Sequence, residues 1–241
     1  MNASSIEEGK VFVNLKSVLQ PSPRKRAMLR VRFLVWRISR RAGGWFKRLL
    51  DIVISLIVLI LLSPVLLLVA LLIKVTDGGP VIFWQYRVGK WGTPFRFPKF
   101  RSMVVNAEAL QAKLKKASQH GDSITFKIKR DPRITWIGRF IRKTSIDELP
   151  QLLCVLTGKM SLVGPRPALI SEVSQYSLEE RRRLDITPGL TCIWQISGRS
   201  EIPFAQQCQM DVDYIEQQGI LTDLSLLIKT VPAVIVGRGA Y

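Results

Sequence analysis

Asp147 and Glu148 stand side by side within the ten residues RKTSIDELPQ, Arg142 to Gln151. From Lys127 to Arg166 the surrounding charge is almost all positive: Lys127, Lys129, Arg130, Arg133, Arg139, Arg142, Lys143, Lys159 and Arg166, against one further acid, Asp131. Two adjacent carboxylates among guanidinium and ammonium groups suit work on an anionic, phosphorylated substrate. One carboxylate can attack while the other helps hold a divalent cation. The same pair also has a purely structural reading. With Asp147 as the N-cap of a helix, Glu148 falls at N1 and Pro150 at N3, where a missing N–H costs nothing. Alternatively Ser145 and Glu148 form an S-x-x-E capping box. The uses are compatible, because a helix N-terminus keeps a carboxylate ionised, and an ionised carboxylate beside a phosphate is a usable nucleophile.

The 241 residues carry 36 Lys and Arg against 18 Asp and Glu, a net charge of +18. That length predicts one sizeable core with an appendage, and the charge demands an anionic partner: nucleic acid, an anionic membrane surface or phosphorylated small molecules. Cys154, Cys192 and Cys208 form no C-x-x-C pair and are odd in number, which argues against a disulfide framework or thiolate metal site and for reduced, cytosolic thiols. His120 is the single histidine, so a His-based zinc site is excluded; its polar surroundings, Ser118 to Ser123, predict a solvated loop rather than a Ser-His-Asp triad. Neither phosphate-binding glycine fingerprint, G-x-x-x-x-G-K-[ST] or G-x-G-x-x-G, is present.

These side chains need a platform, and the chain supplies an apolar one. Ile52 to Ile73 holds no charge over 22 residues, about 33 Å of helix and enough for a hydrocarbon core. Pro64, preceded by Ser63, falls at its centre and predicts a bend. Both flanks are basic, so a straight span would export Lys and Arg against the usual bias. Entry, a turn at Ser63 and Pro64, and return to the same face satisfies both constraints; a kinked span is the alternative. Trp36, Trp45, Trp84 and Trp91 flank the run, as indoles do at headgroup level.

Before the run, the chain opens polar and then becomes basic with scattered apolar positions, among them Met28, Leu29, Val31, Phe33, Leu34, Val35 and Trp36, which fits a surface-lying amphipathic segment or a disordered basic tail. After it, strands are expected over Val81 to Tyr86 and Phe95 to Phe100, joined through Gly89 to Gly92. A helix is expected over Asn106 to Ala117, a short extended piece over Phe126 to Lys129, and a helix over Asp147 to Leu156 stopping near Gly158. An amphipathic helix is expected over Ala168 to Leu184 with Arg181, Arg182 and Arg183 at its C-terminal end. An irregular stretch surrounds Trp194. Two last helices run from Phe204 to Gln218 and from Asp223, as N-cap, to Val236. The sum is α+β: a small, helix-rich domain lying against a membrane.

Several motifs, in order, carry a resemblance that covers Lys47 to Tyr241. They are KRLLD (Lys47 to Asp51), SP (Ser63, Pro64), KFRSM (Lys99 to Met103), DPRIT (Asp131 to Thr135), RKTSIDELPQ, MSLVGPRP (Met160 to Pro167), PGLT (Pro188 to Thr191), WQISGRS (Trp194 to Ser200) and the terminal GRGAY. Together they resemble the bacterial sugar transferases, or monotopic phosphoglycosyl transferases, that begin exopolysaccharide and O-antigen assembly. The resemblance implies a basic extension (1–46), a re-entrant membrane helix broken at Ser63 and Pro64 (47–74), and a cytosolic catalytic domain with interfacial helices (75–241). It also implies a chain without the large multi-span N-terminal region of longer members.

The implied reaction moves a sugar 1-phosphate from a UDP-sugar, glucose or galactose by the GRGAY ending, to polyprenyl phosphate, giving UMP at the inner face of the cytoplasmic membrane. Carried over by position, Asp147 is the nucleophile of a covalent phosphosugar intermediate and Glu148 binds Mg²⁺. The candidates for the phosphate clamp are Lys99, Arg101, Arg142 and Arg166, with Arg199 a weaker one; solvated surface charge is the alternative for each. The implied partners are the UDP-sugar, polyprenyl phosphate and membrane lipids, with no nucleic acid and with self-association left open. The chain departs from the family pattern at Cys154 for Asn, Lys159 for an acid, Cys192 for Gly and Pro98 for an aromatic. Those departures motivate a rival reading, a non-catalytic scaffold in polysaccharide assembly.

Overall fold

A computed structural model of the chain describes residues 23–114 and 131–236. His120, Lys127, Lys129, Arg130, the extended piece expected over Phe126 to Lys129, the first 22 residues and the GRGAY terminus lie outside the described residues. The chain forms two compact units, Met1–Phe46 and Lys47–Tyr241. Of the first, the described part is helical. The second holds the core and the candidate site.

Helix α1, Pro23–Asp77, contains the apolar run. Its stretch Gly43–Asp77 is long and apolar enough to cross a membrane, with a mean hydropathy of 3.3 in its most apolar window. Asp51, Ser55, Val69 and Ile73 are buried, and Ile54, Val58, Leu59, Leu66 and Ala70 pack beside them, a stripe at helical spacing. The opposite face is just as apolar and stands exposed: Leu56, Ile57, Ile60, Leu61, Leu67, Leu68 and Leu71. Water does not tolerate a face of that size, so α1 associates with a membrane.

The helix remains helical through Pro64. Proline lacks the N–H that would pair with the carbonyl four residues back, which is that of Ile60. The Ser63 hydroxyl donates to that same oxygen at 2.8 Å. The helix thus runs on through Ser63 and Pro64, where a break is expected, with the orphaned acceptor satisfied locally.

The expected hairpin is present. Strands β1, Ile82–Val88, and β2, Pro94–Phe100, pair antiparallel from Ile82 with Phe100 to Val88 with Pro94, through a turn over Lys90–Gly92. Helices α2, Ala107–Leu114, and α3, Trp136–Lys143, follow. Thr135 caps α3 by accepting from the Gly138 N–H at 3.0 Å. A 3-10 turn, Ile146–Gln151, leads into α4, Leu152–Leu156, which ends before Gly158 at φ +79°. Strand β3, Ser161–Val163, pairs in parallel with β5, Gly189–Thr191; between them β4, Ala168–Leu169, joins the free edge of β1. Helices α6, Ile193–Ser197, α7, Phe204–Gln217, and α8, Ile220–Val236, complete the described chain.

The helix expected over Ala168 to Leu184 is corrected. After β4 comes one helical turn, α5, Ile170–Val173, and then a separate 3-10 turn, Glu180–Leu184. Serines explain the interruption. Ser174 donates to the Ser171 carbonyl at 2.8 Å, while Ser177 and Glu180 exchange side-chain and backbone bonds that start a new turn. Nor does Arg183 decorate a helix end: it is buried and paired with Asp211 at 2.7 Å, its guanidinium 5.7 and 5.6 Å from the ring centroids of the neighbouring Tyr176 and Phe204. Asp223 is likewise no N-cap, but accepts from Lys47 Nζ at 2.5 Å and from the Tyr214 hydroxyl at 2.6 Å.

One core cluster joins Phe95 and Phe97 to Leu152, Val155, Met160, Leu162, Val163, Tyr214 and Leu226; Ile54, Val58 and Leu59 of α1 pack on it. A second joins Phe100, Ile137 and Ile141 to Val69 and Ile73 of α1. Between β3 and β5 the backbones nearly touch. A Cβ on Gly189 would lie 2.1 Å from the Gly164 nitrogen, so glycine is required there to bring the G-P-R-P loop, Gly164 to Pro167, against the core.

Candidate active site

The acidic pair sits on the 3-10 turn, and the local fold explains its posture. Ser145 adopts a left-handed conformation at φ 56° and reverses the chain after α3, so the next residues enter the core tightly. Both capping expectations are corrected. Ser145 occupies the N-cap position without a side-chain cap bond, and Asp147 lies inside the turn. Glu148 has stronger partners than a backbone N–H. Its Oε1 accepts from Lys99 Nζ at 3.1 Å and from Arg166 Nη2 at 2.5 Å, and its Oε2 accepts from Arg166 Nη1 at 3.1 Å. The bidentate guanidinium fork and a second cation are charge-assisted bonds, which outcompete a neutral amide donor.

Asp147 is the reverse case. It is 7 % exposed, and no described residue donates a hydrogen bond to its carboxylate. Burial pushes its carboxyl up to about 6; Lys99 pulls it down, Glu148 pushes it up, and Arg142 and Arg166 pull it down more weakly. For Glu148 burial also acts upward, but Arg166 and Lys99 outweigh it and hold the acid far below the usual carboxylate range. Lys99 is lowered, chiefly by burial, against the pull of Glu148. The neighbours are therefore unlike: one permanently ionised and clamped, one uncommitted and able to change charge near neutrality.

Of the sequence candidates, Asp147, Glu148, Lys99 and Arg166 come together. Arg142 acts on Asp147 through its charge. Arg199, at φ 52°, donates to the carbonyls of Gln195 at 3.2 Å and Ala233 at 3.3 Å, within the electrostatic reach of Glu148 and Asp147. Arg101 is spent elsewhere, on Asp77 at the end of α1. Ser63 and Pro64 lie exposed on α1.

Sequence reasoning missed Arg87. This β1 residue donates to the Pro167 carbonyl at 3.2 Å and to Gln85 Oε1 at 3.0 Å, steadying the loop that carries Arg166. Burial and then Arg166 lower its pKa to about 10. No motif marks it; its place on the strand beside the hairpin turn was the one available sign. The departures from the family pattern are accommodated, Lys159 by standing exposed and the other three inside. The Cys154 thiol donates to the Arg96 carbonyl at 3.5 Å, Cys192 contacts Gln195 Oε1 at 3.1 Å, and Pro98 is buried. All three thiols are free and buried, and burial pushes each up, Cys208 to about 11.

An uncommitted carboxylate beside a cation-clamped one, on a domain held by an apolar helix, is the equipment of a group-transfer enzyme at a membrane. Relatives narrow that class. Residues 42–237 match the family model for bacterial sugar transferases. The chain is 40% identical over 205 residues to the exopolysaccharide production protein ExoY of Sinorhizobium fredii, covering 84% of this chain and 91% of that protein. It is 47% identical over 195 residues to the galactosyl transferase CpsE of Streptococcus agalactiae, covering 80% and 43%. With the undecaprenyl-phosphate galactose phosphotransferase of Salmonella typhimurium it shares 43% identity over 211 residues, covering 85% and 43%. The chain thus spans nearly all of the first relative and less than half the length of the other two. It belongs to the bacterial sugar transferase family, and is an enzyme of that class.

Proposed function

We propose that this chain transfers a sugar 1-phosphate from a UDP-sugar, galactose or glucose, to polyprenyl phosphate at the cytoplasmic face of the membrane, as a first step of exopolysaccharide synthesis. The observation that carries the reading is the contrast within the pair: Asp147 buried with no hydrogen-bond donor among the described residues, Glu148 fixed by Lys99 and Arg166. A carboxylate oxygen of Asp147 attacks the phosphorus that bears the sugar. The bond from that phosphorus to the bridging oxygen breaks, and UMP leaves with the electron pair. An oxygen of polyprenyl phosphate then attacks the same phosphorus and expels the Asp147 carboxylate, so one phosphoanhydride replaces another with no external energy source.

Arg166 and Lys99 would neutralise the phosphoryl oxygens as charge builds in the transition state. Among the described residues no three His, Cys, Asp or Glu side chains converge. Mg²⁺ suits such a site, because it takes one or two carboxylates and draws its other oxygens from substrate phosphates and water. Asp147 has free lone pairs, and Glu148 keeps one beyond its three bonds. Glu148 would hold the ion, and the ion when bound supplies charge neutralisation on the diphosphate.

The membrane segment is proposed as a re-entrant hairpin with its tip near Ser63 and Pro64. Supporting this, residues on both sides of the proline pack on the same domain, Ile54 and Val58 on one cluster, Val69 and Ile73 on the other, while Leu61, Pro64 and Val65 project exposed. The scaffold alternative leaves the assembled pair without a use. Membranes carrying the chain, supplied with UDP-galactose or UDP-glucose, undecaprenyl phosphate and Mg²⁺, should release UMP, and chelation by EDTA should stop it. Binding of the UDP-sugar with no UMP formed would return the scaffold reading to first place.

A further inference from the structure

The two cations on Glu148 come from different segments, Lys99 from β2 and Arg166 from the loop after β3, and each segment is tied to a different end of the apolar run of α1. Lys99 is on β2. Two residues further along, Arg101, 8 % exposed, pairs with Asp77 at the C-terminal end of α1, and Phe100 between them packs with Val69 and Ile73. Gly79 seats that pair: a Cβ there would fall 2.0 Å from Arg101 Nη1. Arg166 follows β3. Into β3 and its approach reach three groups from the other end of the apolar run. Asp51 Oδ1 accepts from the Leu162 N–H at 3.1 Å, Lys47 Nζ donates to the Val163 carbonyl at 3.2 Å, and Arg48 donates to the Val155 and Leu156 carbonyls at 2.5 and 2.8 Å. Lys47 is itself held by Asp223, and the Tyr214 hydroxyl bonds both Asp223 and the Val163 carbonyl.

We infer that Arg101 with Asp77, and Asp51 with Lys47, are positioning residues of the transfer reaction: they fix β2, which bears Lys99, and β3, which leads into the loop bearing Arg166, to the two ends of the apolar run of α1, so that the helix sets the spacing of the clamp on Glu148. Arg101 thereby moves from the phosphate-binding candidates to a role exerted through Lys99. The membrane segment is on this account part of the active-site frame as well as an anchor. The inference rests on the transfer proposed above.

Plain destabilisation and mispositioning separate in a single-turnover experiment on the full chain in nanodiscs, with UDP-galactose and UDP-glucose in turn. The amplitude of the UMP burst counts folded enzyme, and its rate constant reports the geometry of the reacting groups. Asp77→Asn and, separately, Asp51→Leu should lower the rate constant about tenfold or more while a proportionate amplitude remains. The exchange Asp77→Arg with Arg101→Asp should restore most of the loss from Asp77→Asn. Val69→Ala, which thins the packing and leaves the ties intact, should reduce amplitude or melting temperature and keep the rate constant. Bursts at the wild-type rate from both tie variants would overturn the inference and leave the transfer reading standing. If the wild-type chain gave no burst with either sugar, the transfer reading itself would fall.

Discussion

Asp147→Asn is expected to lose sugar-phosphate transfer by at least about 10³-fold while making the protein more stable above pH 6. Amide nitrogen and oxygen fill the same space as the carboxylate, so the loss is one of nucleophilicity. The gain in stability follows from the pKa. A carboxyl raised from 3.8 to about 6 in the folded state favours the fold fully below pH ~4, in its protonated form, and that contribution disappears as pH rises through about 6. At neutral pH the ionised Asp147 therefore costs up to about 3 kcal/mol. The asparagine variant escapes that cost, so its melting temperature should match wild type near pH 4 and exceed it at pH 7.5. In the wild type, transfer should fall about tenfold per pH unit below 6 as the nucleophile protonates. A variant that transferred at the wild-type rate would remove Asp147 from the chemistry, and one less stable at both pH values would contradict the assignment of strain to its charge.

Arg166→Ala should be costly in both respects. Glu148 keeps 17 % of its side-chain surface exposed, and with the fork removed it is left with Lys99 alone. Breaking one side of such a buried pair costs about 3 kcal/mol, mostly through the charge left behind. Loss of a donor for the phosphoryl oxygens should also cut transfer about 10²- to 10³-fold. Adding Glu148→Gln would recover part of the stability, since the stranded carboxylate is removed while Lys99 in turn loses its partner, and none of the activity. Arg166→Lys restores the charge without the two-pronged geometry and should fall between the extremes. Chemical denaturation and UMP release on the same four proteins check the pattern. Equal activity in the arginine and alanine forms would show that the clamp has no part in transfer.

The acidic pair, the hairpin over β1 and β2, and the last two helices were legible because their signals are local. Alternation between Gly and Pro marks the strands, 3.6-residue spacing marks α7 and α8, and Asp147 with Glu148 is visible as a dipeptide in a basic field. The errors share a cause of the opposite kind. Nothing near Arg101 reveals that its guanidinium is taken by Asp77, 24 residues earlier. Nothing near Asp223 points to Lys47, 176 residues away. Arg181, Arg182 and Arg183 look alike in sequence, yet burial against Asp211 separates the third from its neighbours. Over Ala168 to Leu184 the apolar spacing suits a helix, but serine hydroxyls offer the backbone another set of bonds and divide it. Charge patterns show that cations gather; folding decides which of them stay free for a substrate.

The native thiols carry one last consequence. Because Cys154, Cys192 and Cys208 are buried and held protonated, a membrane-impermeant maleimide will find only a thiol added by mutagenesis. Trp45 and Val75 are broadly exposed on either side of the apolar run, and each can be replaced by cysteine in turn on the wild-type background. If the segment returns to the face it entered, both labels attach from the same side of sealed, oriented vesicles. Opposite-sided labelling would mean a crossing, and the chain's own chemistry makes the distinction readable without first stripping it of cysteine.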